Sequence, residues 1–178
     1  SISQGIFQFV SIMTTTGFST TEFVSWPTFL PFFLIVMSFF GACAGSTGGG
    51  IKIGRMLILF QQGLREIYQL IHPNALLPIK INNRKVPDRV ADAIWAFIGV
   101  YLAIFYLMVL LLLASGLDYV TAWSATAASL NNLGPGLGAV ANNYSELGNF
   151  PKWVLCWGML LGRLEIFTLL VLFTPTFW

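Results

Sequence analysis

Charge is what this chain has least of. Only 9% of its 178 residues are Asp, Glu, Lys or Arg, against about 25% in a typical soluble domain. Hydrophobic residues make up 56%. A soluble fold of this size could not cover its surface with so few charges, so water is not its main solvent. Histidine occurs once, as His72, and cysteine twice, as Cys43 and Cys156. Both cysteines lie in apolar runs without paired spacing, which excludes a disulfide framework and a Cys/His metal centre and predicts buried free thiols. A single histidine, followed by proline in a polar stretch, reads as a loop residue and cannot assemble a nucleophile and base pair. The net charge of +2 is too small to imply nucleic-acid binding. The chain also lacks an initiator methionine and a signal-peptide pattern, opening Ser1-Ile2-Ser3-Gln4-Gly5, so the expectation is a part of something longer.

Long apolar runs are what it has instead. A helix needs about 20 residues to cross the hydrocarbon core of a bilayer. Ala93 to Ser115 meets that length. Trp153 to Phe173 does too, although Arg163 and Glu165 interrupt it, and Thr28 to Ala44 is marginal. Ile51 to Ile71 has the pattern of an amphipathic or interfacial helix carrying Lys52, Arg55 and Arg65, stopped by His72-Pro73-Asn74. Seven of the nine Lys and Arg residues fall between Lys52 and Arg89, which places this connector in the cytoplasm by the positive-inside rule. The first spanning helix then descends, the second returns and the third descends again.

The intervals Ile2 to Trp26 and Asp118 to Phe150 both precede a descending helix that opens near a proline, Pro27 or Pro151. Each begins with a Ser/Thr/Ala-bearing segment too short to span, continues into a glycine-containing turn and ends in polar residues. This is the pattern of a helix that dips into the membrane and returns. The order of helix, short helix, glycine loop and helix is complete once, from Ala93 to Phe173, and recurs from Ile2 without its leading helix, which is an internal repeat.

The two turns carry the chemistry. One reads Thr14-Thr15-Thr16-Gly17-Phe18-Ser19-Thr20 and the other Asn131-Asn132-Leu133-Gly134-Pro135-Gly136-Leu137-Gly138. Non-helical backbone at membrane depth is tolerated only where protein buries it or where it lines an aqueous cavity. Backbone carbonyls in such a place can replace the water shell of an ion. Laid on the filter pattern TVGYG, the loops give Thr15-Thr16-Gly17-Phe18-Ser19 and Asn132-Leu133-Gly134-Pro135-Gly136, and the central glycine is common to both.

Gly41 to Lys52 reads GACAGSTGGGIK. The spacing fails a phosphate-binding P-loop, because Ile51 separates the last glycine from Lys52, and fails a nucleophile elbow, because Ala44 stands where GxSxG requires glycine. So many small residues should break a descending helix, since glycine costs about 1 kcal/mol relative to alanine per helical position. The alternatives are a tight packing site and a movable intramembrane loop. Arg163 sits near the middle of the last apolar run, where a charge normally faces a cavity or a partner. Glu165 is a poor intrahelical partner for it at a spacing of two. Gly158 and Gly162 have GxxxG spacing, the signal of close helix packing.

Taken together, TTTGFST, GSTGGGIK, HPNALLPIK, SLNNLGPGLG, GRLE and the terminal LFTPTFW resemble the Trk/Ktr/HKT superfamily of potassium transporters, and within it the bacterial TrkH/TrkG-type membrane subunits. The resemblance covers essentially the whole chain. It implies an all-α integral membrane fold of repeated helix, re-entrant pore helix and helix units, of which this chain carries 1.5 to 2 of the family's four. Residues 1–72 would be the third repeat lacking its first helix, 73–89 a cytoplasmic connector, and 90–178 the fourth repeat.

The resemblance further implies potassium conduction in the bacterial inner membrane, with the filter at Thr15, Thr16, Gly17, Phe18, Ser19, Asn132, Leu133, Gly134, Pro135 and Gly136. Potassium would be held at Thr15, Thr16, Asn132 and Leu133, and a gate would lie at Gly45, Ser46, Thr47, Gly48, Gly49, Gly50, Lys52 and Arg163. The implied partners are membrane lipid, the other repeats of the parent chain, a second copy in a homodimer and a TrkA-type cytosolic nucleotide-binding subunit, with no bound cofactor and no nucleic acid. A non-conducting membrane scaffold, whose glycines serve packing alone, and an intramembrane enzyme are the competing readings.

Overall fold

The computed structural model describes residues 2–20, 26–27, 29–41, 48–73, 78–81, 84–141 and 143–172. Its elements run in chain order as α1 (Ile2–Met13), α2 (Phe29–Ser38), α3 (Ile53–Ile71), β1 (Lys80–Ile81), β2 (Arg84–Lys85), α4 (Asp88–Ala114), α5 (Tyr119–Leu130), α6 (Asn149–Arg163) and α7 (Ile166–Leu172), with a 3₁₀ turn at Gly138–Val140. Among the described residues the fold is helical apart from the two-residue antiparallel ladder of β1 and β2, in which Lys80 faces Lys85 and Ile81 faces Arg84. That hairpin lies within the polar connector, residues 73–89.

α4 is long and apolar enough to cross a membrane by itself at 27 residues. α2 is apolar but stops at 10 residues. The third apolar run does not form the expected single helix, because α6 and α7 meet at 106°. The bend sits at Leu164 and Glu165, and Glu165 takes a left-handed backbone with φ +54°. The carboxylate of Glu165 is held by Lys52 and Arg55 from the other repeat, which fixes the chain where helical geometry is lost.

α5 is the centre of the packing. Ala122, Ala125, Ala127 and Leu130 are fully buried, and the helix is enclosed by α4, α6 and α2. Small residues allow this, since a helix wrapped on all sides has little room for side chains. Asp118 caps its start by accepting from the Thr121 amide at 3.3 Å. An aromatic cluster ties the two repeats together: Phe32 stacks on Trp123 at 4.7 Å, and Phe39 meets Phe105 edge-on at 5.6 Å. Gly158 of α6 packs against Met108, as GxxxG spacing suggests.

The outer faces are apolar. Trp153, Trp157, Leu107 and Leu110 are all exposed in this chain, a surface for hydrocarbon or further protein. Cys156 is exposed on the same side of α6, contrary to the buried thiol expected of it, because an apolar run in a membrane helix says nothing about which residues face inward. Cys43 lies outside the described residues.

Candidate functional site

Both short helices end where a glycine loop begins, and the two loops have one backbone. In the first, the amides of Thr14, Thr15 and Thr16 donate to the carbonyls of Val10, Ile12 and Ser11 at 2.9, 3.0 and 2.9 Å. In the second, Asn131, Asn132 and Leu133 donate to Ala127, Ser129 and Ala128 at 3.0, 3.1 and 2.8 Å. Every donor and acceptor is displaced by the same 117 positions, 131 minus 14. The dihedral angles agree too: Thr15 and Asn132 have φ of +53° and +54°, and two residues on Gly17 and Gly134 have +79° and +101°.

This alternation has a physical meaning. In an extended strand successive residues face opposite ways, and a left-handed residue at every second position brings consecutive carbonyls back to one side. Glycine and asparagine accept that conformation at little cost, but a β-branched threonine does not. Thr15 is therefore held in a sparsely populated conformation, of the kind that costs about 1–3 kcal/mol and collects at functional sites.

The loops also touch. A Cβ added to Gly17 would lie 2.2 Å from the carbonyl oxygen of Leu133, so only glycine lets the strands approach. Below them, Gly41 and Gly162 face the last carbonyl of each short helix, Met13 and Leu130, where an added Cβ would come within 1.8 and 1.9 Å. These two glycines hold equivalent places against the two short helices: α2 has already ended at Ser38 before Gly41, and α6 ends at Arg163 just after Gly162. α1 and α5 thus aim their C-terminal ends, which carry about half a negative charge, at the loops. Such an end favours a cation.

Side chains brace the loops from behind. Ser11 donates to the Phe18 carbonyl at 2.6 Å. Ser124 accepts from the Leu137 amide at 2.9 Å. Tyr144, in the segment after the second loop, donates to the Gly134 carbonyl at 2.7 Å. Burial pushes its hydroxyl up to about 12, so it stays protonated and remains a donor across the working pH range. The Gly134 carbonyl is therefore already engaged, while nothing comparable binds those of Asn132 and Leu133 among the described residues.

Beneath the loops lies a cavity of about 190 Å³ whose charged lining is Lys52, Arg55, Arg163 and Glu165. Lys52 and Arg55 both donate to the Glu165 carboxylate, Arg55 at 2.7 Å. The Arg55 guanidinium also lies 4.2 Å above the ring centre of Phe97, a cation–π contact. Arg163, the last residue of α6, is exposed and faces the same space with Gly48 and Gly50. Of the residues expected to form a gate, Gly48, Gly50, Lys52 and Arg163 gather here, Gly49 packs instead against the Asn131 backbone, and Gly45, Ser46 and Thr47 lie outside the described residues. Among those expected in the filter, all ten are described; Thr16, Phe18, Ser19 and Gly134 are exposed, whereas Leu133 and Gly136 are buried.

The sequence reading missed Gly41, Tyr144, Arg55 and the role of Glu165. The signal for the last two was present, since three charges in apolar runs call for partners.

Comparison with known proteins agrees with this architecture. The family model described as TrkH, cation transport protein, matches residues 1–178. The chain is 51% identical over 177 residues to the Trk system potassium uptake protein TrkH of Escherichia coli strain K12, covering 99% of this chain and 37% of that protein. It is 43% identical over 168 residues to the Trk system potassium uptake protein TrkG of the same strain, covering 94% of this chain and 35% of that one. The crystal structure of the potassium transporter TrkH from Vibrio parahaemolyticus superimposes with a TM-score of 0.90 at 54% identity, over 98% of this chain and 37% of that one. The chain thus spans little more than a third of the relatives it matches. A family of transporters makes this a membrane protein and gives no support to an enzymatic reading. With its whole length matched and its fold superimposed, the chain belongs to the TrkH family of cation transport proteins.

Proposed function

We propose that this chain supplies two adjoining quarters of a potassium-conducting pore in a multi-pass protein of the bacterial inner membrane. The observation that carries this reading is the pair of loops with one backbone, in contact at Gly17 and Leu133 and each standing at the C-terminal end of a short helix. Potassium is the cargo. It sheds its water against the carbonyls of Thr15, Thr16, Asn132 and Leu133, aided by the negative ends of α1 and α5.

Below the filter the ion meets the cavity, where Lys52, Arg55 and Arg163 outweigh Glu165. Gly45 to Gly50, with Lys52 and Arg163, form the gate, in which the cations raise the barrier. Residues 1–72 act as the third pore repeat, 73–89 as the cytoplasmic connector and 90–178 as the fourth repeat. Further repeats complete the ring in the intact protein, which works as a homodimer in lipid. A cytosolic nucleotide-binding subunit of the TrkA type regulates it and docks on the basic connector.

Reconstitution of the intact protein into proteoliposomes tests the reading. Potassium should enter down its gradient faster than sodium. A correctly assembled protein that passes neither ion would leave the loops as packing elements and the chain as a scaffold.

A further inference from the structure

The two filter loops share a backbone but differ in what holds them. Thr14, the residue before the first left-handed position, uses its hydroxyl locally, on the Val10 carbonyl at 2.7 Å and the Thr16 hydroxyl at 2.8 Å. Its repeat equivalent, Asn131, reaches out of its own repeat unit. Asn131 is fully buried, its Nδ2 donates to Ser38 Oγ at 2.8 Å, and its Oδ1 accepts from Tyr101 Oη at 2.6 Å. Ser38 in turn donates to the Ile35 carbonyl at 2.6 Å. Tyr101 and Ser38 are themselves 2% and 0% exposed. One buried amide therefore joins the end of α5, the end of α2 and the middle of α4.

The same amide is where the glycine segment rests. A Cβ at Gly49 would fall 2.2 Å from the Asn131 carbonyl oxygen, and one at Gly50 would fall 3.1 Å from Asn131 Oδ1 and 3.1 Å from the Ser38 carbonyl. Gly50 is left-handed, with φ +79°. The Ile51 amide closes the contact by donating to the Phe39 carbonyl at 2.9 Å. Asn131 is joined by one peptide bond to Asn132, the first left-handed residue of the second loop. A buried chain of this kind has one good geometry, and breaking any member leaves a buried polar atom unpaired.

We infer that Asn131 is a positioning residue that couples the second filter loop to the glycine segment beneath it, through the chain from Tyr101 to Asn131 to Ser38 and the contacts of Gly49 and Gly50. With the glycines seated, the amide is held on both sides and Asn132 keeps its left-handed turn. When Gly49 and Gly50 withdraw, the amide loses one wall and the first carbonyls of the second loop lose their register. Ion selection and gating then share one equilibrium. The first loop has no such link among the described residues, so the coupling is asymmetric between the repeats.

This inference rests on the proposed potassium pathway, and its test separates the two. In the intact protein, Tyr101→Phe removes one hydrogen bond to Asn131 at nearly constant volume, and Ser38→Ala removes the other. The potassium-to-sodium permeability ratio is measured in proteoliposomes, because a ratio does not depend on how much protein assembles. Each variant should lower the ratio about fivefold, the worth of a typical hydrogen bond. The double variant should lower it by less than the product of the two, since both act on one amide. Gly50→Ala, approaching from the other side, should shift the ratio in the same direction. Ratios that stay within about twofold of the unmodified protein in all three, with potassium still conducted, would overturn the coupling while leaving the pathway intact. Absence of potassium flux in the unmodified protein would instead defeat the pathway.

Discussion

Replacing Glu165 by glutamine keeps the shape of the side chain and removes the charge that Lys52 and Arg55 share. The cavity beneath the loops carries three cations and one carboxylate, a net +2, and Glu165→Gln makes it +3. A sphere of about 190 Å³ has a radius of about 3.6 Å, and its lining atoms stand roughly 2–3 Å further out, so a central potassium ion lies about 6 Å from the new unbalanced charge. At an effective dielectric near 20, one unit charge at about 6 Å costs about 2.8 kcal/mol. That corresponds to as much as about a hundredfold in rate.

Rubidium uptake into proteoliposomes, normalised to assembled protein, reads the effect. Glu165→Gln should depress uptake strongly, and Lys52→Gln, which lowers the net charge to +1, should raise it. The double variant returns the cavity to +2 and should recover most of the native rate. A double variant as impaired as Glu165→Gln alone would refute the electrostatic reasoning, and would mean that the ion pair serves to hold the bend between α6 and α7.

Three further outcomes follow from the same geometry. Gly134→Val places a β-branched residue at φ +101° and should abolish potassium uptake while leaving the amount of protein in the membrane nearly unchanged, measured by uptake against immunoblot. Arg163→Ala should raise basal flux and weaken dependence on the cytosolic subunit; loss of assembly would make the arginine a structural anchor. A cysteine at Lys85, in the connector hairpin, should react with an impermeant thiol reagent from the cytoplasmic side only, in a background where Cys43 and Cys156 are replaced, and labelling from outside would invert the topology.

Much of the architecture was legible because composition and length act directly on helices. Ala93 to Ser115 could be little other than a spanning helix, and Ile51 to Ile71 shows its amphipathic period; the helices found, α4 and α3, start within a turn or two of those positions. Gly17 and Gly134 stood out as backbone positions that need no side chain, and both are left-handed. Thr15 gave no such signal, since a β-branched residue is the last expected at positive φ and only the surrounding hydrogen bonds hold it there.

The break before Ile166 was illegible for a different reason. Gly162 stands two residues before Leu164, but its GxxxG spacing with Gly158 reads as helix packing, and the apolar period continues through Leu164-Glu165. What stops the helix is an ion pair with residues 113 and 110 positions away, Lys52 and Arg55. Asn131 belongs to the same class, its partners lying 30 and 93 positions off. Local pattern reads what a residue does to its own backbone, whereas these residues act on the backbone of another repeat.

The central claim, that the two loops face one ion path, is tested most directly by soaking crystals of the intact protein in rubidium or thallium and locating the ions by anomalous scattering. The account predicts peaks between the carbonyls of Thr15 and Thr16 on one side and Asn132 and Leu133 on the other, and none in the basic cavity beside Arg163. Peaks in that cavity with an empty space between the loops would contradict it.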